Sequence, residues 1–69
     1  MPLRKRSLAL AGHATSLALE PAFWSVLEEM AKVRGTSLSE LVAQIDSTRG
    51  GSPLASACRV AALAHQRQS

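Results

Sequence analysis

Cysteine occurs once in this chain, so no intrachain disulfide can form. The single cysteine and the two histidines stand at no spacing that suits a zinc site. Aromatic residues are nearly missing, with one Phe, one Trp and no Tyr. Alanine and leucine dominate instead, as they do in small helical proteins. Long apolar runs are lacking too. The basic start Pro2-Leu-Arg-Lys-Arg6 is followed by an apolar run only from Leu8 to Ala11, shorter than the roughly 7–15 residues of a signal peptide. No stretch approaches the ~20 apolar residues of a membrane span. A free thiol without a signal segment reads as a cytoplasmic protein with no membrane partner. Catalytic constellations are lacking as well: no Ser/His/Asp set, no paired carboxylates on one strand, no phosphate-binding glycine loop. The expectation is therefore not an enzyme, with no cofactor, no metal and no small-molecule substrate.

What is present is small and basic. Sixty-nine residues make one domain. A core of that size is marginal unless a disulfide, a metal or oligomerisation supports it. With the first two excluded, oligomerisation is what the composition leaves. The formal net charge is +3 and the sequence pI is near 10.0. A homodimer would double that charge, which favours polyanions as partners.

The hydrophobic period changes within Thr15-Ser-Leu-Ala-Leu-Glu-Pro-Ala-Phe-Trp24. Up to Leu19 the side chains alternate: Thr15, Leu17 and Leu19 point one way, and Ala14, Ser16 and Ala18 the other. That is a half-buried strand. Before it, Gly12-His13 either lies within one long strand or turns a tight hairpin of type II′. The reading adopted is a weak first segment from residue 8 and a true strand at about 14–19. This strand has no evident mate of its own, so a second copy of the chain is expected to supply one.

After Glu20-Pro21 the period becomes helical. Phe23, Leu27, Met30 and Ala31 form a stripe that Val26 and Val33 widen, predicting a first helix from about Pro21 to Arg34. Proline suits the first helical position because its missing N–H would be unpaired there. Glu28 and Glu29 fall on the solvated face. Lys32 and Arg34 match the negative end of the helix dipole, and Gly35 ends the helix. Ser37-Leu-Ser-Glu40 is a capping box that opens a second helix. There Leu38, Leu41, Val42 and Ile45 recur at i, i+3, i+4 and i+7. Gly50-Gly51 breaks the chain, and Ser52-Pro53 starts a third helix to about residue 66. Leu54, Ala57, Cys58, Ala61 and His65 line one side of it. Val60, Leu63 and Ala64 widen its apolar surface, which predicts burial from two directions. Residues 1–7 read as a basic flexible arm, 8–66 as the domain, and 67–69 as a frayed tail.

Strand, proline-started helix, glycine, Ser-capped helix: over residues 14–48 this order resembles the ribbon-helix-helix DNA-binding proteins. The wider set Lys5-Arg-Ser, Ala-Gly-His13, Thr-Ser16, Leu-Glu20, Ala-Phe-Trp24, Ile45-Asp46 and Arg49 is similar to one bacterial and phage subfamily. The resemblance implies a mostly helical fold with one short strand per chain. It also implies an intertwined homodimer whose two strands form an antiparallel ribbon in the DNA major groove, with a third helix added here. Carried over, Ala14, Ser16 and Ala18 would face double-stranded DNA, and Thr15, Leu17 and Leu19 the core. Backbone N–H groups around Thr36, Ser37 and Leu38 would hold a phosphate, a role that a helix N-terminus supports physically. Family members usually carry Arg, Lys, Gln, Asn or Thr on the outer ribbon face. Here only Ser16 offers a hydrogen-bonding side chain there. The charge for DNA must then come largely from Arg4, Lys5 and Arg6, with His13 beside them.

Other residues take structural readings. Cys58 is a small buried hydrophobe, Trp24 packs in the core or a dimer contact, and His65 is structural or exposed. Asp46 and Arg49, three residues apart, form a local ion pair. The function expected is a transcriptional regulator, such as a repressor, that occludes promoter DNA. The alternative is a dimeric protein-interaction or antitoxin-like adaptor with little sequence-specific DNA binding.

Overall fold

Two strands precede the helices, not one. The computed structural model describes residues 2–68. Its elements run β1 (Arg4–Leu10), β2 (His13–Leu19), α1 (Pro21–Arg34), α2 (Leu38–Thr48) and α3 (Leu54–Gln68). β1 and β2 pair antiparallel, from Arg4↔Leu19 at the open end to Leu10↔His13 at the turn. The loop is Ala11-Gly12, with φ of 50° and 85°. Positive φ at both loop residues is a type I′ turn, whose twist matches that of the flanking strands. The turn therefore sits one residue earlier than expected and is not type II′. Holding Ala11 in the left-handed region costs about 1–2 kcal/mol.

Side-chain parity explains the hairpin. Leucines stand at even positions in β1 (Leu8, Leu10) and at odd positions in β2 (Leu17, Leu19). One continuous strand would send these two sets to opposite faces. A two-residue turn pairs even with odd and brings all four to one face. All four are buried, while Ser7, Ala9, Ala14 and Ser16 are exposed. Three expectations are corrected by this pairing. The chain has two strands. The mate of β2 is β1 and not a second copy. From Arg4 onward, the flexible arm over residues 1–7 is ordered strand; its Met1 lies outside the described residues.

The helices begin and end where their local chemistry directs. Pro21 opens α1 and Gly35 closes it at φ 70°. The Gly35 N–H then reaches the Lys32 carbonyl and the Thr36 N–H the Ala31 carbonyl, which satisfies carbonyls left open at the helix end. Ser37 caps α2: its Oγ accepts from the Glu40 N–H at 3.0 Å, and Glu40 Oε1 accepts from the Ser37 N–H at 3.2 Å. At α3 the carbonyl of Pro53 accepts from the Ala57 N–H at 3.0 Å. The helix runs to Gln68, so residues 67 and 68 of the expected frayed tail are helical, and Ser69 lies outside the described residues.

One core unites these elements. The four hairpin leucines cover Trp24, Leu27, Met30 and Ala31 of α1, together with Leu41, Val42 and Ile45 of α2. Cys58 and Ala62 of α3 close the far side. Full burial of a leucine contributes about 1.5–3 kcal/mol. The helix stripes thus find cover within one chain, and burial alone does not call for a second copy. Val33 is the exception in α1, at 72% exposure. α3 is buried from one direction only, with Val60 and Leu63 at 62% and 54% exposure. Two side-chain contacts tie α3 to the start and middle of α1. Arg59 Nε lies 3.0 Å from Glu20 Oε1, and His65 Nε2 lies 3.0 Å from Glu29 Oε2. The Glu20 carboxyl is held below its ordinary value, first by its own backbone N–H and then by Arg59.

Burial pushes the Cys58 thiol up from 9.0 to about 11, with Asp46 adding to the effect. A thiol in that state should resist alkylation in the native protein and react once it unfolds. The shift also fixes a pH dependence. The thiolate is easier to form in the unfolded chain, so this contribution to stability is complete below pH 9. It declines between about pH 9 and pH 11, by up to about 3 kcal/mol. Thermal melts of wild type and Cys58→Ala across that range should converge as pH rises.

Two substitutions test the rest of the fold. Leu17→Asp should prevent folding or destabilise severely, because it buries an unpaired carboxylate, whereas Ser16→Asp should leave the melting temperature nearly unchanged. The reverse pattern would mean the strand faces are exchanged. Ser37→Ala should lower stability by about 0.5–2 kcal/mol in chemical denaturation, through loss of the α2 cap.

Candidate nucleic-acid interface

The outward face of the hairpin is a patch of mostly small side chains. Its three cross-strand pairs are Lys5↔Ala18, Ser7↔Ser16 and Ala9↔Ala14. Ala14 and Ser16 are exposed and Ala18 is half-buried, so all three stand on the face that alternation assigned to them. Lys5, Ser7 and Ala9 join them, and the sequence reading missed these three. The signal for them was the parity switch between the two leucine pairs. With β1 included, the face carries three hydrogen-bonding side chains instead of one: Lys5, Ser7 and Ser16.

The basic triplet is divided by its place in β1. Lys5 points outward with the patch. Arg4 is exposed at the strand start, and its carbonyl accepts the Trp24 Nε1–H at 2.8 Å. Arg6 turns inward. Its guanidinium lies 4.9 Å from the centroid of the Trp24 ring and 3.7 Å from Glu28 Oε2. A pocket at this end is lined by Arg4, Lys5, Arg6, Pro21, Trp24, Ser25 and Glu28. His13 is exposed at the hairpin tip opposite Leu10, on the other side of the sheet from Ser16.

Ion pairing concentrates the positive charge further. Every carboxylate is engaged: Glu20 by Arg59, Glu28 by Arg6, Glu29 by His65, Asp46 by Arg49 at 2.6 Å, and Glu40 by the Ser37 N–H. The Asp46–Arg49 pair is the one expected from their spacing. Among the described residues, Arg4, Lys5, Lys32, Arg34 and Arg67 pair with no carboxylate. Two of these five, Arg4 and Lys5, are adjacent at the open end of the hairpin, Lys5 on its outer face and Arg4 exposed on the side of Leu19 and Arg6.

The start of α2 is not brought together with that patch, and it is partly used. The Thr36 N–H goes to Ala31 and the Ser37 N–H to Glu40. Of the three residues assigned to phosphate, only Leu38 keeps a free amide at the helix entrance. Glu28, Glu29, Lys32, Thr36 and Leu38 line the adjoining pocket. Two carboxylates there, with Glu40 in the capping box, set a negative neighbourhood against an incoming anion. Thr36 Oγ1 is buried without a hydrogen-bond partner.

The second edge of the hairpin is bare. Across a two-residue loop, Leu10 and His13 exchange both backbone bonds, so Ala14, Ser16 and Ala18 turn their N–H and C=O away from β1. No backbone bond beyond β1 reaches these three among the described residues. Beside them runs a groove lined by Thr15, Leu17, Asp46, Arg49, Leu54 and Ala55, among others. No helix is long and apolar enough to cross a membrane among the described residues.

No curated protein and no solved structure shows significant similarity to this chain. The family model of the ribbon-helix-helix domain matches residues 3–66, from just before β1 to near the end of α3. The chain therefore belongs to the ribbon-helix-helix family, whose members typically bind DNA and dimerise and serve as transcription regulators or antitoxins.

Proposed function

We propose that this protein is a DNA-binding transcriptional regulator that lays the outer face of its hairpin in the major groove and represses by occlusion. One observation carries the reading: a two-stranded ribbon with Lys5 on its outer face and Arg4 exposed beside it at the open end, neither of them neutralised by a carboxylate. The major groove, about 12 Å wide, admits a two-stranded ribbon. Ser7, Ser16 and Lys5 supply hydrogen bonds to base edges or phosphates, and the alanine methyls supply contacts to thymine methyls. Lys5 and Arg4 engage phosphates.

The ribbon in this proposal belongs to one chain. Joining two chains through their β2 edges would give a four-stranded sheet with outer backbones about 14 Å apart. That is broader than the groove, so a single hairpin is the unit that enters. A homodimer is part of the proposal as the arrangement that presents two hairpins to two half-sites, about 34 Å apart on one face of the duplex. The second reading is a protein-interaction or antitoxin-like adaptor. It is favoured by the uncharged, open edge of β2, to which a partner strand can add.

Binding to random-sequence duplex DNA, followed by fluorescence anisotropy at several salt concentrations, tests the first reading. Wild type should bind with steep salt dependence. Arg4→Ala and Lys5→Ala should each lower affinity across all sequences and flatten the slope by about 0.9 per lost phosphate contact. Arg6→Ala should change the slope little, because Glu28 already matches that charge. Ser16→Ala should cost about 1 kcal/mol, and only at a preferred site. Light scattering on the DNA-free protein should report about twice the 7.3 kDa of one chain. Absence of salt-dependent DNA binding would favour the adaptor.

A further inference from the structure

We infer that Trp24 is a positioning residue for the basic strand, gripping β1 at Arg4 and Arg6 so that Lys5 on the outer face and Arg4 beside it at the strand start are held in place before a polyanion binds. The inference rests on the DNA-binding reading for its consequence, but the grip itself is geometric. Trp24 is buried, at 3% exposure, and a buried indole N–H needs an acceptor. The acceptor is not in its own helix. It is the carbonyl of Arg4, twenty residues earlier, at 2.8 Å.

The same indole holds β1 a second time. Its ring lies 4.9 Å from the Arg6 guanidinium, within range of a cation–π contact. Glu28, one helical turn beyond Trp24, takes the same guanidinium at 3.7 Å. α1 thus holds β1 at two alternate residues, by the backbone of one and the side chain of the other. Lys5 lies between them. Alternation then sends its side chain to the outer face, where no carboxylate pairs with it.

Terminal strand residues fray unless something ties them down. β1 meets β2 along one edge only, and Arg4 and Lys5 lie at its open end. Without the indole N–H, the pairing of Arg4 with Leu19 would be the last of the ladder and the least protected. Fixing the strand beforehand removes an ordering cost that a mobile arm would meet on binding.

The test uses the full chain. Replacing Trp24 with benzothienylalanine, an indole isostere without the N–H, keeps ring volume and the stacking on Arg6. Trp24→Phe is a second variant that also lacks the donor. Amide hydrogen exchange reads the grip, and anisotropy with random-sequence duplex DNA reads its consequence. In the isostere, exchange at Arg4 and Arg6 should accelerate by about tenfold or more, with Leu8, Leu10 and the helices unchanged. DNA affinity should fall several-fold at an unchanged salt slope, because the same charges still arrive. Unchanged exchange at Arg4 and Arg6 would overturn the grip. Faster exchange with unchanged affinity would overturn its role in binding. If wild type fails to bind DNA, the functional reading falls, while the exchange result still decides the grip.

Discussion

The two-residue turn at Ala11-Gly12 is the constraint on which the rest of this structure depends. Leucines at even positions before it and at odd positions after it share one face only because the turn exchanges parity. A loop one residue longer or shorter would expose one pair of leucines to solvent. It would also uncover the helix residues that the hairpin now roofs, Trp24 and Leu27 among them. The left-handed backbone at Ala11 is the local cost of this arrangement. Burial of four leucines, at about 1.5–3 kcal/mol each, exceeds a strain of about 1–2 kcal/mol. The turn is therefore dictated by the core and not by the preference of alanine.

From that roof the charges take their places. β1 lies along the start of α1, so Arg6 meets Glu28 and the Trp24 ring. α3 closes the opposite side, so Arg59 meets Glu20 and His65 meets Glu29. These pairs are partly exposed and each contributes little to stability. Their larger effect is on the distribution of charge. Arg6, Arg49 and Arg59 match three carboxylates, and the excess of +3 is what five unpaired Lys and Arg leave over Glu29 and Glu40. Two of them, Arg4 and Lys5, lie at the open end of the hairpin.

Much of this was legible in the sequence because it is local. Pro21 and Gly35 bound α1, Ser37 and Glu40 fix the start of α2, and alternation alone faces Ala14 and Ser16 outward. β1 was not legible by the same means. Gly12 invited a turn with His13, since glycine tolerates positive φ and alanine resists it. The observed loop needs positive φ at Ala11, which no local preference foretells. The parity switch between Leu8-Leu10 and Leu17-Leu19 did carry the information, but only as a statement about pairs of strands. Lys5, Ser7 and Ala9 were missed from the candidate site for that reason. Val60 and Leu63 illustrate a different limit. A wide apolar stripe shows that a helix can be buried on two sides, but not how many neighbours it has.

A ribbon contained within one chain changes what a second copy is for. A two-chain ribbon exists only above the concentration at which the dimer forms, because its core and its recognition surface are created together. Here the hairpin leucines and α3 already cover the core within one chain, so in the proposed function the recognition surface does not depend on the dimer. In the proposed function, dimerisation then sets the number and spacing of hairpins on the duplex instead of creating them. Affinity for a single half-site should depend on Arg4, Lys5 and the serines of the outer face, whereas affinity for a paired site should gain through effective concentration. The same separation leaves the edge of β2 open in each chain. Its uncharged Ala14, Ser16 and Ala18 lack the charges by which exposed edges usually avoid adventitious pairing. β1, by contrast, carries Lys5 on its own free edge. A pairing strand is thus directed to β2, on the side away from the basic residues, where a second partner can be received without displacing Arg4 or Lys5.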